Sequence, residues 1–131
     1  MHAFILAILF NLFLSQQTAT LTITFTNIQT AKGQLMVALN DTKGSMVNGY
    51  IVPVTKAGNV TYTIKDVKPG AYTLAVFHDI NKDETLNTNL VGVPKEPYGF
   101  SNNARGTFGP PSLAEQTFTV TDKTSLSIAL K

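Results

Sequence analysis

The sequence contains no cysteine and no tryptophan. Without cysteine there is no disulfide framework and no thiolate metal centre, so the fold rests on its core, or on its core plus a ligand. Only two histidines occur, His2 and His78, and one usable histidine cannot build a multi-residue zinc shell. Charge is sparse as well: charged residues make up 14% of the chain and the formal net charge is +2. The ten basic residues are scattered, Arg105 being the sole arginine. Clustered Lys/Arg with interleaved aromatics, the footprint of nucleic-acid binding, is missing, which excludes that partner class. After residue 16 no stretch carries an apolar stripe at helical spacing over ten residues or more, so long amphipathic helices are excluded too.

What is present begins with MHAFILAILFNLFLS, Met1 to Ser15, apolar from Ala3 to Leu14 apart from Asn11. A bilayer span takes about 20 apolar residues, so this run is too short to cross. Its length and its small or polar flank predict a secretory signal peptide over residues 1–16. Cleavage after Ser15 or nearby leaves Gln16 or Gln17 as the new start. The mature part, residues 17–131, is long enough for a single domain. Export to the periplasm or the extracellular space follows, with no transmembrane segment in the mature chain, and the lack of a lipobox cysteine excludes a lipid anchor.

From Thr20 to Thr26, TLTITFT sets Leu21, Ile23 and Phe25 on one face and threonines on the other, the period-two pattern of a half-buried strand. The alternation returns over 33–40, 59–65, 70–78 and 116–130. Residues 50–54 form a further strand, which Pro53 marks as an edge because proline cannot donate to a ladder. Turn chemistry separates these runs at Ala57-Gly58-Asn59, Lys68-Pro69-Gly70 and Thr121-Asp122-Lys123-Thr124. The expected fold is all-β: an antiparallel β-sandwich of about seven strands, immunoglobulin-like or prealbumin-like. One long segment, about 79–112, interrupts it. Rich in proline and glycine yet carrying Tyr98, Phe100 and Phe108, it is expected to be an ordered loop with its aromatics tucked against the sandwich.

Two groups in that segment carry candidate chemistry. In Asp79-Ile80-Asn81-Lys82-Asp83-Glu84-Thr85-Leu86-Asn87, oxygen-bearing side chains alternate in the D-x-N-x-D spacing with which a tight loop wraps calcium. Asp79, Asn81 and Asp83 are the candidate direct ligands, Thr85 offers its carbonyl, and Asn87 completes the shell. Glu84 stands where an EF-hand loop has glycine, and Leu90 where it has the bidentate glutamate. The alternative is a loop in which the same residues satisfy local backbone groups. Further on, Tyr98, Phe100, Asn102, Asn103 and Arg105 offer rings for stacking and amides for hydroxyls, a candidate face for a carbohydrate or peptide ligand. Read structurally, they seal the loop onto the sandwich, with Arg105 pinning carbonyls or Glu96. His78 is expected to be a partly exposed strand-end residue. Ser101, His78 and Asp79 can be written as a triad, but no G-x-S-x-G elbow supports it.

The junction Phe77-His78-Asp79 with Asn81, the run Asn89 to Glu96, the stretch Tyr98-Gly99-Phe100-Ser101-Asn102-Asn103-Ala104 and the trailing Phe108 to Ser112 resemble a family of small secreted bacterial proteins built on one domain of unknown function. That resemblance spans nearly the whole mature chain and implies no activity. Val67 to Leu74 is similar to the proline-glycine-x-tyrosine corner of prealbumin-like and carboxypeptidase regulatory-like sandwiches, which are mostly accessory, adhesive or ligand-binding modules. The D-x-N-x-D run also resembles calcium-bearing repeats of bacterial surface adhesins. The expected function is an exported noncatalytic binding or structural module of the cell envelope, partnered by an unidentified ligand or envelope protein, with calcium as its one candidate cofactor. Two alternatives stand beside it: a small secreted hydrolase or isomerase using His78, Asp79, Glu96 or Arg105 beneath the loop, and an accessory subunit of an envelope assembly.

Overall fold

Threonine alternating with leucine, isoleucine and phenylalanine makes β1 (Ala19–Ile28) a strand buried on one face only. A computed structural model describes residues 17–131, and the expected signal peptide lies outside the described residues. The chain continues through β2 (Gln34–Asn40), β3 (Met46–Pro53), β4 (Gly58–Val67) and β5 (Gly70–Asp79). After the long segment come β7 (Phe118–Val120) and β8 (Lys123–Ala129). Within that segment lie β6 (Tyr98–Phe100) and a 3-10 turn over Ser101–Asn103, and one turn of helix, α1 (Leu113–Gln116), follows it. The long loop is therefore ordered, but it is not strand-free: it supplies a strand to the sheet.

The strands form two packed sheets, a nearly all-β sandwich. One has three strands in the order β4-β1-β8; in the other, β3-β2-β5 continues into β6 along one half of β5 and into β7 along the other half. Pro53 closes β3, which is an edge strand as its proline requires. The all-antiparallel expectation needs one correction: β8 runs parallel to β1, Thr20 opposite Lys123 through Thr26 opposite Ala129. The reason is topological. The chain leaves β7 in the other sheet, turns at Asp122, whose carbonyl accepts from Thr20 N at 3.0 Å, and so enters β8 at the end where β1 begins.

Between the sheets lie Leu21, Ile23 and Phe25 of β1, Leu35, Val37 and Leu39 of β2, Leu74 and Val76 of β5, and Ile128 of β8, all buried. Each such side chain contributes about 1.5–3 kcal/mol relative to exposure. Tyr50 and Tyr62 meet at 5.8 Å between ring centroids where β3 and β4 face each other. The Tyr72 hydroxyl donates to the Lys68 carbonyl, tying the start of β5 to the preceding turn.

Along β5, β6 pairs with residues 75–77 and β7 with residues 70–72, which leaves Leu74 N between them. Ser101 fills the gap: its Oγ accepts from Leu74 N at 3.0 Å and donates to the Gln116 carbonyl. At the other flank, β6 exchanges backbone bonds of 3.1 and 3.0 Å between Tyr98 and Lys131. Glycine is required there, because a Cβ on Gly99 would stand 2.8 Å from Ile128 Cγ2 and 2.9 Å from the Ala129 carbonyl oxygen. No helix among the described residues is long and apolar enough to cross a membrane.

Candidate functional site

Period-two alternation on β5 sends Leu74, Val76 and His78 toward the core and Ala75, Phe77 and Asp79 to the outer face. Asp79 is nevertheless fully buried, because the loop after it folds back over its carboxylate. Asp79 Oδ1 accepts from Asp83 N at 3.1 Å; Oδ2 accepts from Glu84 N at 2.9 Å and from Gln34 Nε2 of the neighbouring strand at 3.0 Å. Burial alone would raise the Asp79 pKa, but these hydrogen bonds, led by that of Gln34, outweigh it and hold the carboxyl below its ordinary value. Lys82 and Glu84 take left-handed backbone angles, φ 58° and 60°. Glu84 thus adopts the conformation for which an EF-hand loop uses glycine.

Glu96 arrives from the far side of the loop. Its carboxylate accepts from Ile80 N at 2.9 Å and Asn87 N at 3.1 Å. It does not pair with Arg105, whose guanidinium donates to the Tyr98 carbonyl at 2.9 Å and lies 4.7 Å from the Tyr98 ring centroid. One carboxylate oxygen from each of Asp79, Asp83 and Glu96 falls within 4.8 Å of the others. With its amide nitrogen turned inward, Asn87 donates to Asp83 Oδ2 at 2.9 Å, Glu96 Oε1 at 3.1 Å and the Thr85 carbonyl at 2.7 Å. Three acceptor oxygens of separate residues thus converge on the Asn87 amide nitrogen, and a half-turn of that amide puts its oxygen in the nitrogen's place, the orientation a cation would take. Of the residues expected to hold calcium, Asp79, Asp83, Thr85 and Asn87 come together here and Glu96 joins them. Asn81 stands to the side, its amide donating to Asp83 Oδ2 at 3.2 Å. An all-oxygen set with carboxylates is the donor chemistry of a hard cation such as calcium.

One row of side chains from Asp79, the same outer face turns apolar. Across the sheet, Gly49 lies opposite Ala38, Ala38 opposite Ala75, and Ala75 opposite Phe100. The next row is Ile51, Met36, Phe77 and Tyr98. Small residues beside large ones make a trough running across the strands, with Met46 on its other side and Leu86 at its lip. Its volume is about 470 Å³ and its lining almost wholly apolar. Ligand clefts typically span about 300–1,000 Å³.

Of the expected ligand face, Tyr98 and Phe100 line this trough, their rings edge to face at 5.9 Å. Asn102, Asn103 and Arg105 are engaged elsewhere. Asn102 Nδ2 donates to the Glu115 and Thr117 carbonyls, and Asn103 Oδ1 accepts from Ala129 N. Phe108, expected to pack against the sandwich, is fully exposed. His78 is fully buried, not partly exposed, because its position on β5 faces the core. Its Nε2 bonds the Lys32 carbonyl, while Nδ1 has no partner among the described residues. His78 and Asp79 therefore point to opposite faces, and the Ser101 hydroxyl is spent on backbone.

Sequence reasoning missed the trough, and it set Glu96 beside Arg105 or in a catalytic cleft without joining it to Asp79 and Asp83. A signal for the trough was there: Leu35 to Leu39 and Leu74 to Phe77 contain no polar residue. Such runs mark strands apolar on both faces.

A family model described as uncharacterized protein conserved in bacteria (DUF2141) matches residues 23–128. No curated protein and no solved structure matches the chain.

Proposed function

The chain belongs to that family of uncharacterized proteins conserved in bacteria (DUF2141), and we propose that it is an exported, noncatalytic binding module of the cell envelope, of the immunoglobulin-like or prealbumin-like kind, whose trough takes an acyl-chain-like apolar ligand and whose acidic loop takes calcium. The trough carries the reading. It crosses the strands and offers almost no polar atoms, so a peptide backbone or a sugar laid in it would leave donors and acceptors without partners. A hydrocarbon chain has none to satisfy. The engagement of Asn102, Asn103 and Arg105 with backbone carbonyls and an amide removes the groups a sugar would use, which also favours hydrocarbon.

The noncatalytic part of the reading is supported by dispersal. His78 faces the core, Arg105 is stacked on Tyr98, and the carboxylates of Asp79 and Glu96 accept from backbone amides. The calcium part is supported by the convergence of Asp79, Asp83 and Glu96, beside the Thr85 carbonyl and an Asn87 amide that a half-turn would present by its oxygen. Leu86, between Thr85 and Asn87, lines the trough, so an ion that orders the loop also sets the trough's lip.

Titration with the uncharged fluorophore N-phenyl-1-naphthylamine, followed by competition with a long-chain alcohol, tests the reading. One saturable, competable site is expected, and Ala38→Phe, which fills the trough floor, abolishes it while the protein still melts cooperatively. Absence of saturable binding, or equal binding by Ala38→Phe, overturns it.

A further inference from the structure

Between the acidic loop and β6, Lys95 N donates to the Asn87 carbonyl at 2.7 Å and Asn89 N to the Val93 carbonyl at 2.8 Å, which folds residues 87–95 into a hairpin. Its root lies beside Leu86, at the lip of the trough. The apex is Leu90-Val91-Gly92, closed by a bond of 3.0 Å from Gly92 N to the Asn89 carbonyl and by a left-handed φ of 80° at Gly92. Turn apices ordinarily take glycine, proline, asparagine, aspartate or serine. Here Leu90 is fully exposed, Val91 and Val93 are 82% and 53% exposed, and no charged residue occurs from Leu86 to Pro94. The backbone beneath these side chains is satisfied from within. The Asn89 side-chain oxygen accepts from Val91 N and from Val93 N, each at 3.0 Å, so the amides of Asn89, Val91, Gly92 and Val93 all have partners inside the hairpin.

We infer that this apex docks the protein on a lipid surface: Leu90, Val91 and Val93 enter the boundary between headgroups and acyl chains, while the exposed Lys95 behind them keeps its ammonium among the headgroups. Three apolar side chains held out in water forgo the free energy of burial, and an apolar medium returns it. A membrane boundary accepts a segment whose backbone donors are already paired. A protein partner is held by hydrogen bonds across the contact, and the amides that would supply them are spent inside the hairpin. The choice of lipid over a protein pocket also rests on the ligand reading above, because an acyl chain drawn from that surface meets the lip of the trough at the root of the same hairpin.

Flotation with phosphatidylcholine vesicles in chelator tests this, using residues 17–131, which hold both complete sheets; the apolar run before them is left out so that it cannot itself take up lipid. The wild-type segment is expected to float with the vesicles equally at low and high salt, since salt screens charges and the inserted side chains carry none. Leu90→Asn combined with Val91→Asn weakens vesicle binding at least about tenfold, because burying one such side chain is worth about that factor or more. Neither residue belongs to the core or lines the trough, so the double variant melts like the wild type and keeps its fluorophore binding in solution. Ala38→Phe, with its trough filled, still floats, which separates this inference from the ligand reading. The chain has no tryptophan, so Leu90→Trp reports on the apex alone, and its emission shifts to the blue when vesicles are added. A wild type that stays in the aqueous phase, a double variant that floats as well as the wild type, an Ala38→Phe protein that no longer floats, or an unshifted Leu90→Trp emission overturns the inference.

Discussion

Phe77 and Asp79 leave β5 on the same face of the sheet, one walling the apolar trough and the other anchoring the acidic loop. Two residues of one strand thus set the two candidate sites side by side, and Gln34 donates to Asp79 Oδ2 at 3.0 Å from the strand alongside. Disturbance of the loop is expected to reach the trough through Leu86.

The acidic residues should separate by role. Asp79 and Glu96 each accept backbone amides and are buried, so Asp79→Ala and Glu96→Ala lower stability by about 2–4 kcal/mol with or without calcium, since hydrogen bonds to charged groups contribute about 1.5–3 kcal/mol each. Asp83 is exposed, and Asp83→Ala removes mainly the calcium-dependent rise in melting temperature. Thermal melts in chelator, calcium and magnesium check this; an equal loss for Asp83→Ala in all three would assign that residue to local hydrogen bonding.

Acid should weaken the fold through Asp79. Its pKa is lowered in the folded protein by hydrogen bonds that outweigh burial, so the unfolded chain takes up the proton first as pH falls. The resulting stability is fully present above the unfolded aspartate value of about 3.9 and is lost as pH drops through the lower folded value. Urea melts in chelator between neutral pH and acid should show this loss reduced in Gln34→Ala, which removes one of the hydrogen bonds.

Glu84→Gly should stabilise the protein. A left-handed residue with a Cβ costs about 1–2 kcal/mol, from which the greater chain entropy of glycine subtracts about 0.5–1 kcal/mol. The net gain is about 0.5–1 kcal/mol, read as a higher urea midpoint with an unchanged slope, and calcium dependence is retained because the Glu84 side chain is outside the cluster.

Gly33→Ala should do the reverse. Gly33 has φ 74°, and a Cβ there would stand 2.3 Å from the Asp79 carbonyl oxygen. The backbone of Asp79 and Ile80 must move, which disturbs the acidic loop at its root. A loss of about 2–3 kcal/mol is expected, the range for strain at a special backbone position, together with weaker calcium response in the melts. The same change at Gly44, where a Cβ meets only Leu113 at 3.5 Å, should leave the calcium response intact.

Local alternation made most of this fold legible in the sequence. Thr20 to Thr26 announces β1 by its threonines, and Pro53 announces the edge at β3. The parallel partnership of β1 and β8 was not legible, because neither strand's own pattern carries the identity or direction of its neighbour. Glu96 was hidden for a related reason: it joins Asp79 only when the loop folds back, and no local spacing encodes that. The outer trough escaped because alternation singles out one apolar face, whereas β2 and β5 are apolar on both. The spacing of Asp79 and Asp83, by contrast, did show that a tight loop sets these two carboxylates together, although Asn81 between them stands aside.

The measurement that bears most directly on this account is the affinity of N-phenyl-1-naphthylamine for the wild-type protein in chelator and in saturating calcium. If the acidic loop and the trough act as one unit, calcium tightens binding several-fold, and Asp83→Ala holds the affinity at its chelator value in both conditions. Equal affinity with and without calcium, or no saturable binding in either, contradicts the account.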